Sequence, residues 1–178
     1  DEKPTLFQLL IDNGNPVELP DGITSPVIIT RPVFKINPVQ IYPSDLLVVS
    51  KDSLPKDRES MFFLNIFQIP STEKSDALDS QKQDVTVFLR LRVKVFVRPA
   101  GVEPLNKDEL NKIEFKIDES DGHRYLSIHN PTPWNITLLD LKSAENSIVE
   151  NLILEPKSYK KINISSGNIS ANDINFYV

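Results

Sequence analysis

The stretch VTVFLRLRVKVFVR, residues 85–98, decides the fold class. Every odd position from Val85 to Val97 is aliphatic, whereas the even positions carry Thr, Phe, Arg or Lys. Because successive side chains of a β-strand point to opposite faces, strict alternation of this kind predicts a strand. The run of 14 residues exceeds the usual ~5 to 6 residues of a strand. We therefore expect part of it to serve a partner.

The distribution of proline extends the β prediction to the whole chain. The 178 residues include 14 prolines and 5 glycines, and the gaps between prolines leave few places for a helix of average length. Many short runs bounded by turn-forming residues are typical of a β-sandwich or barrel. These runs are Val27–Thr30, Leu46–Val49, Ile113–Ile117, Tyr125–Ile128, Trp134–Leu138, Leu152–Leu154, Tyr159–Ile164 and Ile174–Val178.

The triplet Pro99-Ala100-Gly101 ends the long alternation and is followed by a polar stretch up to residue 112. This interruption predicts a first domain of residues 1–99 and a second of residues 100–178. The only plausible helical piece is Asn106–Asn111, and the polar segment Ser71–Asp84 predicts a loop.

The composition excludes several classes of protein. A formal net charge of −5 argues against general binding of nucleic acid, which usually needs a basic excess. With no cysteine there is no disulfide framework, zinc ribbon or thiol nucleophile. No apolar run approaches the ~18 residues of a membrane span, so we expect no membrane insertion. No secretory leader is visible, and we expect that any such signal was removed or never present.

Candidates for catalysis are few. His123 and His129 lack the spacing of a zinc protease helix, and ordinary surface or turn positions are the favoured interpretation. The sequence Asp57-Arg58-Glu59 places two carboxylates around one guanidinium, for which a structural ion network is favoured over an acid–base pair. We therefore expect no enzyme activity, no metal and no cofactor.

Several motifs follow one another in a fixed order. They are LPKDRES at 54–60, FFLNI at 62–66, Ile69-Pro70, KVFVRP at 94–99 and NPTP at 130–133. In this order and spacing, over roughly residues 3–178, they resemble the periplasmic chaperones of the bacterial chaperone–usher pilus pathway. The resemblance implies an all-β fold of two immunoglobulin-like sandwiches in an L or boomerang arrangement. It also implies pilin subunits and an outer-membrane usher as partners, and the periplasm as location.

The resemblance further implies donor-strand complementation, in which the last strand of the first domain pairs with a pilin that lacks its own final strand. Main-chain hydrogen bonds then give affinity, and alternate side chains fill the groove of the client. At the matching positions, Val85, Val87 and Leu89 would insert, Lys94 would hold the C-terminal carboxylate of the pilin, and Glu59 and Arg98 would form an interdomain ion pair.

The parity of these positions raises a problem. Val87 and Leu89 are odd and Lys94 is even, so a regular strand points them to opposite faces. If all belong to one client-facing side, an extra residue must be inserted between them. This interpretation predicts a β-bulge within residues 90–93.

Other interpretations stay open. From composition alone, the three aliphatic residues could face their own core and Lys94 could be a solvated strand lysine. An immunoglobulin-like adhesion or receptor module is the second hypothesis, to which three Asn-x-Ser/Thr sequons at residues 135, 163 and 168 give little weight. An uncapped edge strand is also able to pair with a second copy of itself, which leaves self-association open.

Two departures from the family pattern accompany the resemblance. The chain resembles a partial one, without the first strands, which carry an arginine that shares the carboxylate, and without the last strands. The short loop at Ser71–Asp84 and the absence of cysteine resemble the short-loop branch of the family, which builds rod-like pili.

Overall fold

The computed structural model describes residues 4–14, 25–69, 87–143, 146–164 and 169–178, without the side chain of Asn172. The chain divides into two compact units. The first unit comprises Asp1–Leu54 and Met61–Val97, and the second comprises Pro55–Ser60 and Arg98–Val178. A short segment ahead of Met61 thus belongs with the later part of the chain.

In the described part of the first unit, six strands form two sheets. They are β1 (Thr5–Asp12), β2 (Val27–Ile29), β3 (Val33–Ile36), β4 (Leu46–Val48), β5 (Ser60–Ile69) and β6 (Leu89–Val97). One sheet has the order β3-β1-β5-β6, and β2 pairs with β4 in the other. The two sheets enclose a core cluster of Ile11, Val27 and Phe62, against which Val95 and Val97 pack.

The second unit is a sandwich of two three-stranded sheets. Its strands are β7 (Glu114–Ser120), β8 (His123–Asn130), β9 (Ile136–Ser143), β10 (Asn146–Leu154), β11 (Ser158–Asn163) and β12 (Ile174–Tyr177). The sheet orders are β10-β9-β12 and β11-β8-β7. Side chains from both sheets meet in one core, including Leu126 and Ile128 of β8 and Leu138 and Leu141 of β9, each fully buried.

The motif NPTP at 130–133 closes the connection between β8 and β9. The Asn130 side chain is fully buried and donates to the carbonyls of Trp134 and Glu155, each at 2.9 Å. Its Oδ1 accepts the hydroxyl of Thr132 at 2.6 Å and the Thr132 N–H at 3.1 Å. Because buried polar groups need partners, this asparagine fixes the turn.

The all-β prediction is confirmed, with differences in detail. The only helices in the described ranges are short 3-10 helices at Lys51–Ser53, Lys107–Lys112 and Ala171–Asp173. The second of them matches the predicted helical piece to within one residue. The predicted strand at 85–98 is wrong at its start, because β6 begins at Leu89, and Val87 and Phe88 lie outside any strand. The predicted loop at 71–84 lies outside the described residues.

Strands β1, β3 and β5 were not identified from the sequence. Strand β5 reads as a nearly continuous apolar run because both of its faces are covered. Phe62 and Leu64 face the core, while Phe63 and Phe67 lie beneath arginine side chains on the other face. A run of this kind lacks the two-residue alternation that marks a half-buried strand.

Neighbouring leucines on β9 allow a matched test of the second core. Leu138 is fully buried, whereas Leu139 is 52% exposed. We expect Leu138→Ala to lower the free energy of unfolding by about 2–5 kcal/mol, because it leaves a cavity. Leu139→Ala should change it by no more than about 0.5 kcal/mol. Urea denaturation measures both, and equal losses would contradict the assigned core.

Candidate functional site: the edge strand of the first unit

Strand β6 lies at the edge of the four-stranded sheet that the described residues form, beside β5. Its odd-numbered residues before position 95 remain largely outside the core. We call Val87, Leu89, Leu91 and Val93 the aliphatic row; their exposed fractions are 78%, 59%, 54% and 42%. An exposed apolar row on an open strand edge is a template for pairing with another chain.

The side chains of β6 alternate regularly. Arg90 and Arg92 lie on the outer face of the sheet, where they reach Asn65 and Asp12. Val95 and Val97 pack against the core on the opposite face. This parity needs no inserted residue between positions 90 and 97, so the predicted β-bulge at 90–93 is wrong.

Lys94 is half-buried and occupies an even position on β6. By the alternation of the strand, its side chain lies on the face of Arg90 and Arg92, opposite the aliphatic row. A shared face of Lys94 and the inserting residues was the condition for the predicted bulge, and the regular alternation of β6 does not meet this condition.

The structure describes two of the three residues that were expected to insert into a client. Val85 lies outside the described residues. Val87 and Leu89 are both exposed and are not part of the core cluster of the first unit. The sequence did not single out Leu91 and Val93, although both continue the same face and the same alternation.

A polar cluster on the outer face of the sheet escaped the sequence analysis. We call Asp12, Asn65, Arg90 and Arg92 the back network. Asp12 is 3% exposed and Asn65 is 2% exposed, although both are polar. The signals for it were the arginines at even positions of an alternating strand and an aspartate at the end of β1, but no sequence pattern shows that they meet.

The contacts of the back network join three neighbouring strands. Arg92 Nη2 donates to Asp12 Oδ1 at 2.7 Å, and Asn65 Nδ2 donates to Asp12 Oδ2 at 2.6 Å. Arg90 donates to Asn65 Oδ1 from Nε at 3.0 Å and from Nη2 at 2.6 Å. Burial tends to raise the pKa of Asp12, but the hydrogen bonds from Asn65, the Gly14 N–H and Arg92 outweigh it and lower that pKa.

Glu59 and Arg98 form an ion pair inside the second unit. Arg98 Nε donates to Glu59 Oε1 at 2.9 Å, and the backbone N–H of Asn135 donates to Glu59 Oε2 at 3.0 Å. The Glu59 side chain is 4% exposed, whereas that of Arg98 is 39% exposed. The backbone N–H of Glu59 also donates to the Pro133 carbonyl. The segment 55–60 is thus fastened to the turn before β9.

Asp57 belongs to a separate, exposed ion cluster. Its carboxylate accepts from Lys157 Nζ at 2.5 Å and from Arg58 Nε at 3.0 Å. These hydrogen bonds, the one from Lys157 first, lower the pKa of Asp57 to about 2. Asp57 and Glu59 thus pair with different cations, so both belong to ion pairs but they do not share the Arg58 guanidinium as the sequence suggested.

The histidines and the remaining titratable groups form no metal site in the described ranges. His129 stacks on Tyr159 with ring centroids 4.1 Å apart, and its Nδ1 lies 3.0 Å from Glu114 Oε2. His123 Nδ1 lies 3.0 Å from the Asp121 carbonyl. Among the described residues, no helix has the length and apolar character that a membrane crossing requires.

Loss of the Arg98 guanidinium would leave the buried Glu59 carboxylate without its cation. We expect Arg98→Met to lower the free energy of unfolding of the second unit by about 1–3 kcal/mol. Arg58→Met is the matched control, because Arg58 pairs with an exposed carboxylate and should cost no more than about 1 kcal/mol. Chemical denaturation measures both variants. A loss for Arg58→Met as large as that for Arg98→Met would contradict the assignment.

The pKa of Asp57 supplies a test at acid pH. We expect Lys157→Met to raise this pKa from about 2 toward the ordinary 3.8, because the first of its two cations is lost. Since the pKa of Asp57 is lower in the folded than in the unfolded chain, its pairing stabilises the fold above pH 3.8, and this stabilisation is lost as the pH falls through about 2. NMR titration of the carboxyl carbon measures the shift. Lys112→Met, which removes a partner of Glu109, should leave it unchanged.

Two protein-family models together match most of this chain. Residues 1–103 match the family model described as "Pili and flagellar-assembly chaperone, PapD N-terminal domain", and residues 108–178 match "Pili assembly chaperone PapD, C-terminal domain". Chaperone protein MrkB of Klebsiella pneumoniae is 31% identical over 185 residues, which cover 99% of this chain and 76% of MrkB.

Solved structures agree with the fold. The crystal structure of the YadV chaperone superposes with a TM-score of 0.72 at 25% identity, covering 99% of this chain and 80% of that one. A chain in the structure of the Salmonella enterica SafA pilin in complex with the SafB chaperone gives a TM-score of 0.76 at 18% identity, covering 93% of this chain and 73% of that one. At that identity, the second likeness shows the fold alone.

Proposed function

Since the chain belongs to the PapD-like family of pili assembly chaperones, we propose that it binds and caps pilin subunits by lending them strand β6. Proteins of this family are chaperones rather than a class of enzymes. We propose that the present chain likewise works without catalysis or a cofactor. We also propose that it acts in the periplasm and passes its clients to an outer-membrane usher.

The aliphatic row carries the proposal. Leu89, Leu91 and Val93 lie on the core-facing side of β6, yet each is more than two-fifths exposed. A pilin groove that lacks one strand offers the two things that this strand needs, an apolar trough and a line of unpaired backbone groups. Covering each side chain of the row contributes on the order of 1.5–3 kcal/mol when burial is complete.

The row that we propose to insert is longer than the sequence suggested. It includes Leu91 and Val93 beside Val87 and Leu89, because Leu89, Leu91 and Val93 alternate along β6 and Val87 precedes them at the same two-residue spacing. We retain Val85 in the proposal from the resemblance. In the row, the less exposed members lie nearer to Val95, where the core of the first unit begins.

Lys94 is able to hold a chain-end carboxylate from the opposite face of β6. An added strand lies beside β6 in the plane of the sheet, about 4.8 Å away. The end of such a strand is accessible from both faces, so a lysine and an aliphatic row on opposite faces can engage one client. An ammonium that binds the carboxylate would set the register of the client, where a slip by one residue would turn the wrong side chains inward.

Two further expectations remain proposals. One is the boundary between a domain of residues 1–99 and a domain of residues 100–178. The other is the interdomain ion pair of Glu59 and Arg98 that the resemblance implies, supported by the place of both residues next to the points where the chain passes from one unit to the other.

The proposed function is tested by co-expression with a candidate pilin from the same genome, followed by co-purification. We expect Lys94→Asp to abolish recovery of the subunit, because a carboxylate would then face a carboxylate. Leu91→Asp should do the same by placing a charge in an apolar groove. Thermal unfolding of each purified variant shows whether it is folded.

Matched controls come from the second unit. Lys116→Asp reverses an exposed lysine on β7, and Leu139→Asp charges a leucine as exposed as Leu91. Both controls should leave recovery of the subunit unchanged. Full recovery with folded Lys94→Asp and Leu91→Asp would refute strand donation and favour an adhesion module that uses other surfaces.

A further inference from the structure

We infer that the back network is a clamp that fixes the register and the facing of the client-binding half of β6 before any client arrives. The inference rests on the proposed function, since it assigns a purpose to residues on the face of β6 that no client groove would cover. Asp12, Asn65, Arg90 and Arg92 are positioning residues in this assignment, not residues that contact the client.

The two halves of β6 are held by different forces. Val95 and Val97 pack into the core of the first unit, and this burial specifies how the end of the strand is placed. The half from Leu89 to Val93 has its aliphatic side chains largely exposed. Burial within the first unit therefore cannot determine which face of the sheet the side chains of this half occupy.

The back network supplies that specification from the other face. Arg90 forks onto the side-chain carbonyl of Asn65 on β5, and Arg92 reaches past β5 to Asp12 on β1. The guanidinium of Arg92 lies 3.9 Å from the centroid of the Phe63 ring, and that of Arg90 lies 5.2 Å from the centroid of Phe67. Each arginine thus stacks on an aromatic ring of β5 and hydrogen-bonds to a buried polar side chain.

A shift of β6 by one residue would break the whole network. Arg90 and Arg92 would move to the opposite face, and aliphatic side chains would replace them beside Asp12. Asp12 is 3% exposed, so its carboxylate would be left buried without its closest cation. Loss of one partner of a buried ion pair is strongly unfavourable.

A shift by two residues is also disfavoured, although it preserves the facing. In one direction Lys94 would take the place of Arg92, and in the other Phe88 would take the place of Arg90. A lysine lacks the planar fork that stacks on Phe63 while donating to Asp12, and phenylalanine cannot donate to Asn65. Only the observed register therefore gives both buried acceptors an arginine partner.

The test measures amide hydrogen exchange in the full chain without client, together with recovery of a pilin subunit. The variant is Arg90→Met with Arg92→Met, which keeps two long apolar stems but removes both guanidinium groups. Arg31→Met is the matched control, because it removes a guanidinium that lies 5.7 Å from the Tyr42 ring in the same unit. Arg92→Lys restores a cation for Asp12 without the planar fork.

We expect the double variant to exchange about tenfold faster over residues 89–93, with β1 and residues 95–97 little changed, because the strand opens locally. Subunit recovery should also fall, in proportion to the loss in the fraction of molecules that present the binding register. Arg92→Lys alone should fall between the wild type and the double variant, and Arg31→Met should match the wild type.

Unchanged exchange over residues 89–93 would overturn the clamp, as would an equal increase across the whole first unit, which indicates simple destabilisation. Faster local exchange with full subunit recovery would overturn its link to client binding. If the wild-type chain recovers no subunit at all, the proposed function fails, and the pattern of exchange alone then decides whether the clamp exists.

Discussion

The organisation of the first unit depends on the mismatch between an alternating strand and the core available to it. By alternation, the aliphatic side chains of β6 lie on one face, but among the described residues only Val95 and Val97 of this strand pack against the core cluster. In the described residues, the core cluster of this unit has three buried members against ten in the second unit. The first unit therefore presents apolar surface that a client is able to cover.

An edge strand that was apolar on both faces would be a hazard in the absence of a client. The outer face of β6 avoids this because Arg90 and Arg92 lie over phenylalanine rings of β5. Arg92 pairs with the Asp12 carboxylate, and Arg90 donates to the Asn65 side-chain carbonyl. The arginines of the outer face thus have partners within the chain, whereas the aliphatic row on the other face stays uncovered.

The sequence predicted well those features that depend on local periodicity. The strands of the second unit follow from runs such as Ile113–Ile117, and the 3-10 helix at Lys107–Lys112 follows from a polar interval without alternation. The sequence did not reveal strand β5 because its outer face also carries aromatic residues, which lie beneath arginine guanidinium groups. The alternation of apolar and polar residues that marks a half-buried strand is therefore lost. The bulge was predicted in error because Lys94 and Leu89 were assumed to act from one face, an assumption about the client rather than about the strand.

Contacts between distant segments were beyond reach of pattern reasoning. Asp12 and Arg92 are 80 positions apart, and only the order of the strands brings them together. The same holds for Glu59, whose pairing with Arg98 was implied by resemblance, whereas its hydrogen bond to the Asn135 N–H appears only in the folded chain. Sequence identifies side chains that need a partner, but the sheet topology decides which partner each one finds.

These observations connect stability with binding in the first unit. A strand held at one end by Val95 and Val97 and along its outer face by two arginines leaves its remaining apolar face uncovered. Any client that covers this face binds the folded state and not the unfolded one, and so stabilises the fold by mass action. In the part of the first unit that the structure describes, the apolar face left uncovered on β6 is thus the same surface that a client covers, and this links binding to stability.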